Sequence, residues 1–306
     1  MLHRLAFHAM GSQMLAVIEQ ASDPAPPVLH EVPKWFEQWE QVLSRFRPES
    51  ELSRLNARSG QPVHVSQILW DVFKAALVTE AATTGLVTPT VLDAVVQAGY
   101  DRSFDTLPRG QFQPASQMLV EVNPLSEVTW DEDSRTIYLP VGVHLDLGGV
   151  AKGWAAHQAM RRLKAHGPAL VDAGGDIAIS GPRLDGEPWS VGVAEPFNPS
   201  EEFVVLHLGA NGVATSGKDR RRWTQGAELR HHLIDPRTGQ SAETDVLTAT
   251  VVAPTVIEAE AAAKVAFLLG SQEGLAWLKA DPTLAGLLVL DDGQVVSSQT
   301  IQQYLS

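Results

Sequence analysis

Several short polar stretches hold most of the residues able to do chemistry. His231-His232-Leu233-Ile234-Asp235-Pro236-Arg237-Thr238-Gly239 sets two imidazoles, a carboxylate and a guanidinium around one turn. Neighbouring residues of a strand point to opposite faces, so on a strand the two histidines cannot share one metal ion. His232 and Ile234 would share a face, with the turn from Pro236 to Gly239 directly after them. A histidine there is either a half-buried strand residue or a catalytic one, and the dense polar turn weighs toward the second. Asp146-Leu147-Gly148-Gly149-Val150-Ala151-Lys152-Gly153-Trp154 places two glycines at a helix start. Free N–H groups and the helix dipole favour an anion there, and Lys152 adds a positive charge one turn in. The alternative is a tight turn with the lysine stem lying along the surface, and on either reading a lysine at a helix start should be removable without harm to the fold.

Gly174-Gly175-Asp176 repeats the close-approach glycine pair. Further on, Glu260 and Lys264 lie four apart and share one helix face. They are either a surface ion pair or, because Ala259, Ala261, Ala262 and Ala263 are all small, part of a close approach to another element. Gly212-Val213-Ala214-Thr215-Ser216-Gly217-Lys218 matches a phosphate loop up to its lysine. Asp219 then stands where a hydroxyl is needed for Mg²⁺, and no helical pattern follows. A strand ending in a polar turn accounts for it, with Thr215-Ser216-Gly217 able to present hydroxyls to a ligand. His-Glu-x-x-His, Gly-x-Ser-x-Gly and Gly-x-Gly-x-x-Gly are all absent.

The elements that must position these residues are legible in outline. An apolar strand runs from Met14 to Ile18, followed by a Pro-rich link. Trp35, Trp39, Val42, Leu43 and Phe46 predict a helix from Pro33, and Ser66 is a plausible N-cap for a second one that stops near Gly85. Residues 101–126 show no period and read as connecting structure. Residues 130–139 predict two strands around a polar turn. Val141–Leu147 reads as a strand, Val150–Ala165 as a helix ending at Gly167, and Ala169–Val171 as a strand, which together make a crossover pattern. Strands follow at 189–193, 203–208, 212–215, 229–234 and 247–252. A helix from Thr255 to Leu269 starts with a capping box to Glu258 and stops at Gly270, and a hairpin closes the chain.

Composition narrows the function classes. In 306 residues, 44% are hydrophobic and 19% charged, as in an ordinary globular protein. A net charge of -13 is a poor match for a polyphosphate, so no nucleic-acid partner is expected. Zero cysteines exclude disulfides, thiolate-bound metals and thiol catalysis. No apolar run is long enough for a membrane span, and Met1–His8 lacks a signal-peptide core, so a soluble cytoplasmic protein without a lipid anchor is expected.

In this order the segments resemble the ApbE family of FAD:protein FMN transferases. The pieces are Met10-Gly11-Ser12, Phe46–Asn56, Gly85–Thr90, Asp146–Gly153, Gly174-Gly175-Asp176, Thr215-Ser216-Gly217, His232–Gly239, and Val251–Pro254 with its helix. The resemblance implies a mixed α/β (α+β) fold, T-fold-like, with mostly antiparallel sheets flanked by helices in one unit over 1–306. It also implies binding of FAD and, with Mg²⁺, transfer of its FMN half to a Ser or Thr hydroxyl of an acceptor protein, releasing AMP. Met10, Thr88, Lys152, Gly174, Gly175, Thr215, Ser216 and Gly217 would hold FAD. His232 and Asp235 would lie beside flavin and phosphate as the catalytic residues, and the metal would use a backbone carbonyl near Gly149 with side chains at positions 260 and 264. The family's acceptor motif, Asp-Gly-x-Ser/Thr-Gly-Ala-Ser/Thr, does not occur in the chain, so self-modification is not expected.

The chain departs from the family pattern at three places. Val87-Thr88-Pro89-Thr90 stands where the family has Phe-Asp-Pro-Thr, removing a carboxylate near the flavin, and His157 stands where an Asp is usual. Glu260 and Lys264 replace the metal-binding Asp and Thr. A glutamate can still ligate Mg²⁺, but an ammonium cannot and repels the ion. Either Lys264 replaces the divalent ion, or the site has lost transfer and only binds flavin; a purely structural Glu260–Lys264 pair is a further option.

Overall fold

The computed structural model describes residues 1–21, 23–107, 120–226 and 228–305. Of the stretch expected to be connecting structure, 108–119 lies outside the described residues, and its flanks hold only short 3-10 turns at Phe104–Thr106 and Leu125–Glu127. The chain opens with β1 (Leu2–Ala9) and β2 (Ser12–Glu19), paired antiparallel through a two-residue turn. Only β2 was expected. β1 is an edge strand carrying His3, Arg4 and His8, and such polar residues on an edge blur the hydrophobic alternation. Next come α1 (Val32–Leu43), α2 (Glu51–Asn56), β3 (Pro62–His64), α3 (Gln67–Ala82) and α4 (Leu92–Gln97). The α1 stripe that is buried is Val32, Phe36, Trp39 and Leu43, while Phe46 lies beyond the helix and is exposed. Ser66 caps α3 as its sequence suggested, accepting the Leu69 N–H.

β4 (Thr129–Asp131) and β5 (Thr136–Tyr138) form the expected pair of strands. Then follow α5 (Ala151–Lys164), β6 (Ala169–Ala173), β7 (Ile177–Ile179), β8 (Trp189–Ala194), β9 (Glu202–Leu208) and β10 (Gly212–Gly217). Four short strands come next: β11 (Arg222–Gln225), β12 (Glu228–His231), β13 (Ile234–Asp235) and β14 (Gln240–Ser241). The chain ends with β15 (Val246–Ala253), α6 (Val256–Ala280), β16 (Ala285–Leu290) and β17 (Val295–Ser297). The capping box at Thr255 and Glu258 is present, and Gly270 (φ 80°, ψ 177°) does break the helix. A second helical stretch nevertheless follows it, because Asp245 accepts the Ser271 N–H at 2.9 Å and restarts the helix from a distant position.

The described residues form two compact units. The first comprises Met1–Phe36, Lys152–Asp219 and Thr244–Ser306. Its eight-stranded sheet has the order β1-β2-β6-β7-β10-β15-β16-β17, with every pairing antiparallel. α6 packs on β10, β15 and β16, and a cluster that includes Leu170, Trp189, Leu206, Leu208 and Val252 covers the sheet's other face. β15 is therefore buried along its whole length. The second unit comprises Glu37–Ala151 and Arg220–Glu243. It holds the β3-β5-β4 sheet, the β11–β12 and β13–β14 ribbons, and a cluster around Val95, Ala98, Tyr100 and Ile234.

The expected crossover is not formed. Residues 141–147 alternate in burial as a strand would, with Val143, Leu145 and Leu147 inside, yet they join no sheet. Their backbone groups are satisfied elsewhere: the Asn56 side chain accepts the Leu145 N–H and donates to its carbonyl, both at 2.8 Å, and Pro89 O accepts the Asp146 N–H at 2.7 Å. Gly174 and Gly175 instead make the antiparallel turn from β6 to β7. Asn56→Leu should strand both Leu145 groups, at about 1–3 kcal/mol each, and lower stability by about 2–6 kcal/mol. Urea unfolding checks this, and an unchanged midpoint would refute it.

Candidate active site

In the first unit, the start of α5 carries Lys152, whose ammonium is paired with the Asp176 carboxylate. Asp176 is only 2% exposed, so the lysine is the partner of a buried carboxylate rather than a stem lying along the surface. Its removal would leave Asp176 a buried charge without this partner, which argues against the expectation that the fold tolerates that loss. Asp176 follows the Gly174–Gly175 turn, where φ values of +72° and +99° call for glycine. A Cβ on Gly174 would meet the Ser12 side chain at 2.7 Å, so this turn lies against the β1–β2 hairpin. At that hairpin's tip both Met10 (φ 48°) and Gly11 (φ 65°) are left-handed, as a tight type I′ turn requires. A non-glycine residue there costs about 1–2 kcal/mol. Strain of this kind concentrates where a side chain must be aimed, which makes Met10 a notable position.

Glu260 is the most buried charge in this unit's cluster, at 1% exposed. One carboxylate oxygen accepts the Gly153 N–H at 3.0 Å and the other accepts Lys264 Nζ at 3.0 Å. Glu260 thus caps the first turn of α5 from another helix, placing negative charge at a positive helix end. A Cβ on Gly153 would fall 2.5 Å from Glu260 Oε2 and 3.4 Å from the Val256 carbonyl. Gly153 therefore lets Glu260 of α6 come close to the start of α5, the alanines flanking Glu260 are buried, and the surface-pair reading is excluded. Burial pushes the Glu260 carboxyl up; Lys264 opposes this, Asp176 adds to it and Lys152 opposes it. These groups accordingly sense one another as one electrostatic cluster. Asp172 belongs to it too: burial raises its carboxyl, the Gly175 N–H at 2.7 Å offsets part, and Asp176 raises it further. On α5, burial and Arg161 hold the His157 imidazole below its usual value.

Thr215 is exposed on β10 with its hydroxyl 2.9 Å from that of Thr250, and Ser216 is buried. The strand runs on through Gly217, where Leu247 O and Asp219 Oδ1 leave no room for a side chain, each 2.8 Å from a built Cβ. Lys218 is tied to Thr244 O at 2.6 Å and Asp291 at 2.8 Å, and no helix follows, so a nucleotide-triphosphate loop is not formed.

In the second unit, Thr88 caps the 3-10 turn Pro89–Val91, its hydroxyl 2.9 Å from that of Thr90. Gly149 lies in the turn preceding α5. There Asp146 accepts the Gly148 N–H at 2.7 Å and pairs with Arg45 Nε at 2.9 Å. Arg45 went unnoticed in the sequence. Its side chain is 7% exposed, and its guanidinium lies 4.1 Å over Phe46 and 4.6 Å over Tyr100. His232 is half-buried at a bend between β12 and β13, so the face argument that assumed one continuous strand does not apply. His231 is buried, with Nε2 3.0 Å from Ala242 O. Both Asp235 oxygens are taken by the Arg237 guanidinium at 2.7–3.1 Å, and one also accepts the Arg237 N–H at 2.9 Å.

The arrangement defines a mixed α/β protein that gathers buried charge at a helix start beside two glycine-bearing turns. Residues 10–288 match the ApbE family, and the chain belongs to it. It is 31% identical over 292 residues to FAD:protein FMN transferase of Treponema pallidum, spanning 89% of this chain and 80% of that one. To FAD:protein FMN transferase of Haemophilus influenzae it is 26% identical over 270 residues, spanning 84% and 77%. Its fold superposes on the flavin transferase ApbE from Vibrio cholerae with a TM-score of 0.82 at 25% identity, covering 100% of this chain and 99% of that one. For the ApbE protein from Thermotoga maritima the TM-score is 0.88 at 23% identity, with 100% of both chains covered.

A divalent ion does not fit the side chains at the positions where the resemblance places it. Both Glu260 oxygens are occupied, one of them by the ammonium at position 264. Among the described residues no three His, Asp or Glu side chains are grouped to hold a metal. The raised Asp172 carboxyl yields a pH prediction. A carboxyl raised by folding contributes stability that is full below its unfolded value and is lost as pH rises through its folded value. Asp172→Asn should therefore melt higher than the unaltered protein at neutral pH, and the two should converge below the ordinary carboxyl value of 3.8. A lower melting temperature for the variant at neutral pH would contradict this.

Proposed function

We propose that this chain is an FAD:protein FMN transferase. The observation that carries the proposal is the buried Lys152–Asp176 and Glu260–Lys264 cluster at the start of α5, in a chain that belongs to the ApbE family. The reaction asks for such a cluster. The acceptor's Ser or Thr oxygen bonds to the flavin-side phosphorus, the P–O bond to the AMP phosphate breaks, and AMP leaves with the electron pair. Charge grows on the pyrophosphate oxygens, and fixed ammonium groups and helix N–H dipoles stabilise it without reorganising. In the first unit we assign Met10, Lys152, Gly174, Gly175, Thr215, Ser216 and Gly217 to FAD. In the second we assign Thr88 and His232 to FAD, with His232 taking the hydroxyl proton. Asp235, expected as the second catalytic residue, has both oxygens on Arg237 and is assigned instead to shaping the turn that carries His232.

One functional domain over 1–306 is part of this proposal, supported by the family match across nearly the whole chain. So is a cytoplasmic setting. No helix among the described residues is long and apolar enough to cross a membrane.

The test is incubation with FAD and a peptide bearing Asp-Gly-x-Ser/Thr-Gly-Ala-Ser/Thr, following AMP by chromatography and peptide mass. Equal amounts of AMP and FMN-peptide are expected. FAD retention without AMP would mean a flavin-binding protein, and no FAD binding by the folded chain would overturn the flavin reading. Lys152 supplies a second prediction. Lys152→Ala alone should cost about 3–5 kcal/mol of stability by stranding Asp176. Lys152→Met with Asp176→Asn should fold, yet bind FAD about 1.5–3 kcal/mol more weakly through loss of a charge-assisted hydrogen bond. Flavin fluorescence titration reads the difference, and unchanged affinity in the double variant would remove Lys152 from the binding site.

A further inference from the structure

We infer that the Lys264 ammonium serves as the cation of this site in place of a divalent metal ion. The inference rests on the transferase reading and specifies how its charge is met. Three observations support it. The Glu260 carboxylate is saturated, with the Gly153 N–H on one oxygen and Lys264 Nζ on the other, both at 3.0 Å. An incoming ion would have to expel the ammonium from the Glu260 carboxylate, and Mg²⁺ demands a near-octahedral oxygen shell at about 2.0–2.1 Å. Exposure is also graded along the pair: Glu260 is sealed at 2% of its side chain while Lys264 keeps 15%. The lysine therefore forms the outer face of the pair, where a ligand can reach it. Finally, an ammonium has three donors, and Lys264 directs them at Glu260 Oε1 and, at 3.5 Å, the Glu260 carbonyl, so a third is left for an anion.

The geometry explains why position 264 is reached from within one helix. At spacing four, the lysine stem folds back along α6 and sets its charge over the carboxylate, while Gly153 fixes that carboxylate from below. The buried charge is thus balanced before any ligand arrives. No bond is made or broken at Lys264. Its part is to neutralise the phosphate oxygen that gains charge as AMP departs, a role a point charge fills without a coordination shell.

The experiment uses the unaltered protein first. Electron paramagnetic resonance of Mn²⁺ added to the chain, with and without FAD, should show only the free-ion spectrum. FAD affinity from fluorescence should agree within about twofold between EDTA and Mg²⁺. Glu260→Asp with Lys264→Thr should then bind Mn²⁺ and make FAD affinity metal-dependent by about tenfold or more. Mn²⁺ bound by the unaltered chain and released from Glu260→Gln, or FAD affinity falling about tenfold in EDTA, overturns the inference. If the double variant fails to fold, the two measurements on the unaltered chain decide alone. FAD binding in neither condition is a failure of the transferase reading, and the Mn²⁺ spectrum still decides this one.

Discussion

A buried carboxylate shared between two helices is the constraint on which the first unit turns. Glu260 reaches from α6 to the first turn of α5, and nothing larger than the hydrogen of Gly153 can stand between them. The alanines at 259, 261, 262 and 263 are all buried, on a helix that packs against β10, β15 and β16. The start of α6 must be placed with equal care. Thr255 and Glu258 close a capping box, and Gly212 of β10 would drive a Cβ to within 2.0 Å of the Val256 nitrogen. Glycine and alanine at these points set how near backbone may come to backbone.

Charge follows from that packing. A carboxylate so enclosed is tolerated only if its oxygens are filled, and here a backbone amide and an ammonium fill them. The neighbouring Lys152–Asp176 pair repeats the solution beside the Gly174–Gly175 turn. Two lysines thus stand among three carboxylates, Asp172, Asp176 and Glu260, and burial raises the first and last of these. With both Glu260 oxygens filled, such an arrangement is poorly built for a divalent ion.

What the sequence disclosed, and what it hid, divides along the range of the interactions. Local devices were readable: the Ser66 cap, the Thr255–Glu258 box, the Gly270 break and the strands on either side of residues 132–135 all depend on residues a few positions apart. The glycine-rich segments and the spacing of Glu260 and Lys264 marked the candidate site. Partners far along the chain were not readable. Leu145 finds Asn56 at a separation of 89 residues, so a strand-like pattern became an isolated extended segment. Asp245 restarts α6 from 26 residues away. Lys152 looked removable because Asp176 lies 24 residues on, and Arg45 went unseen because Asp146 and two aromatic rings define it only in three dimensions.

The Lys264 ammonium is inferred to stand where a metal would otherwise gather charge. A crystal of the protein grown with FAD and Mn²⁺, measured at the manganese absorption edge, tests it most directly. No anomalous peak is expected at Glu260, with Lys264 Nζ still on the Glu260 carboxylate and turned toward a phosphate oxygen. A manganese peak coordinated by Glu260, with Lys264 swung away, would contradict it.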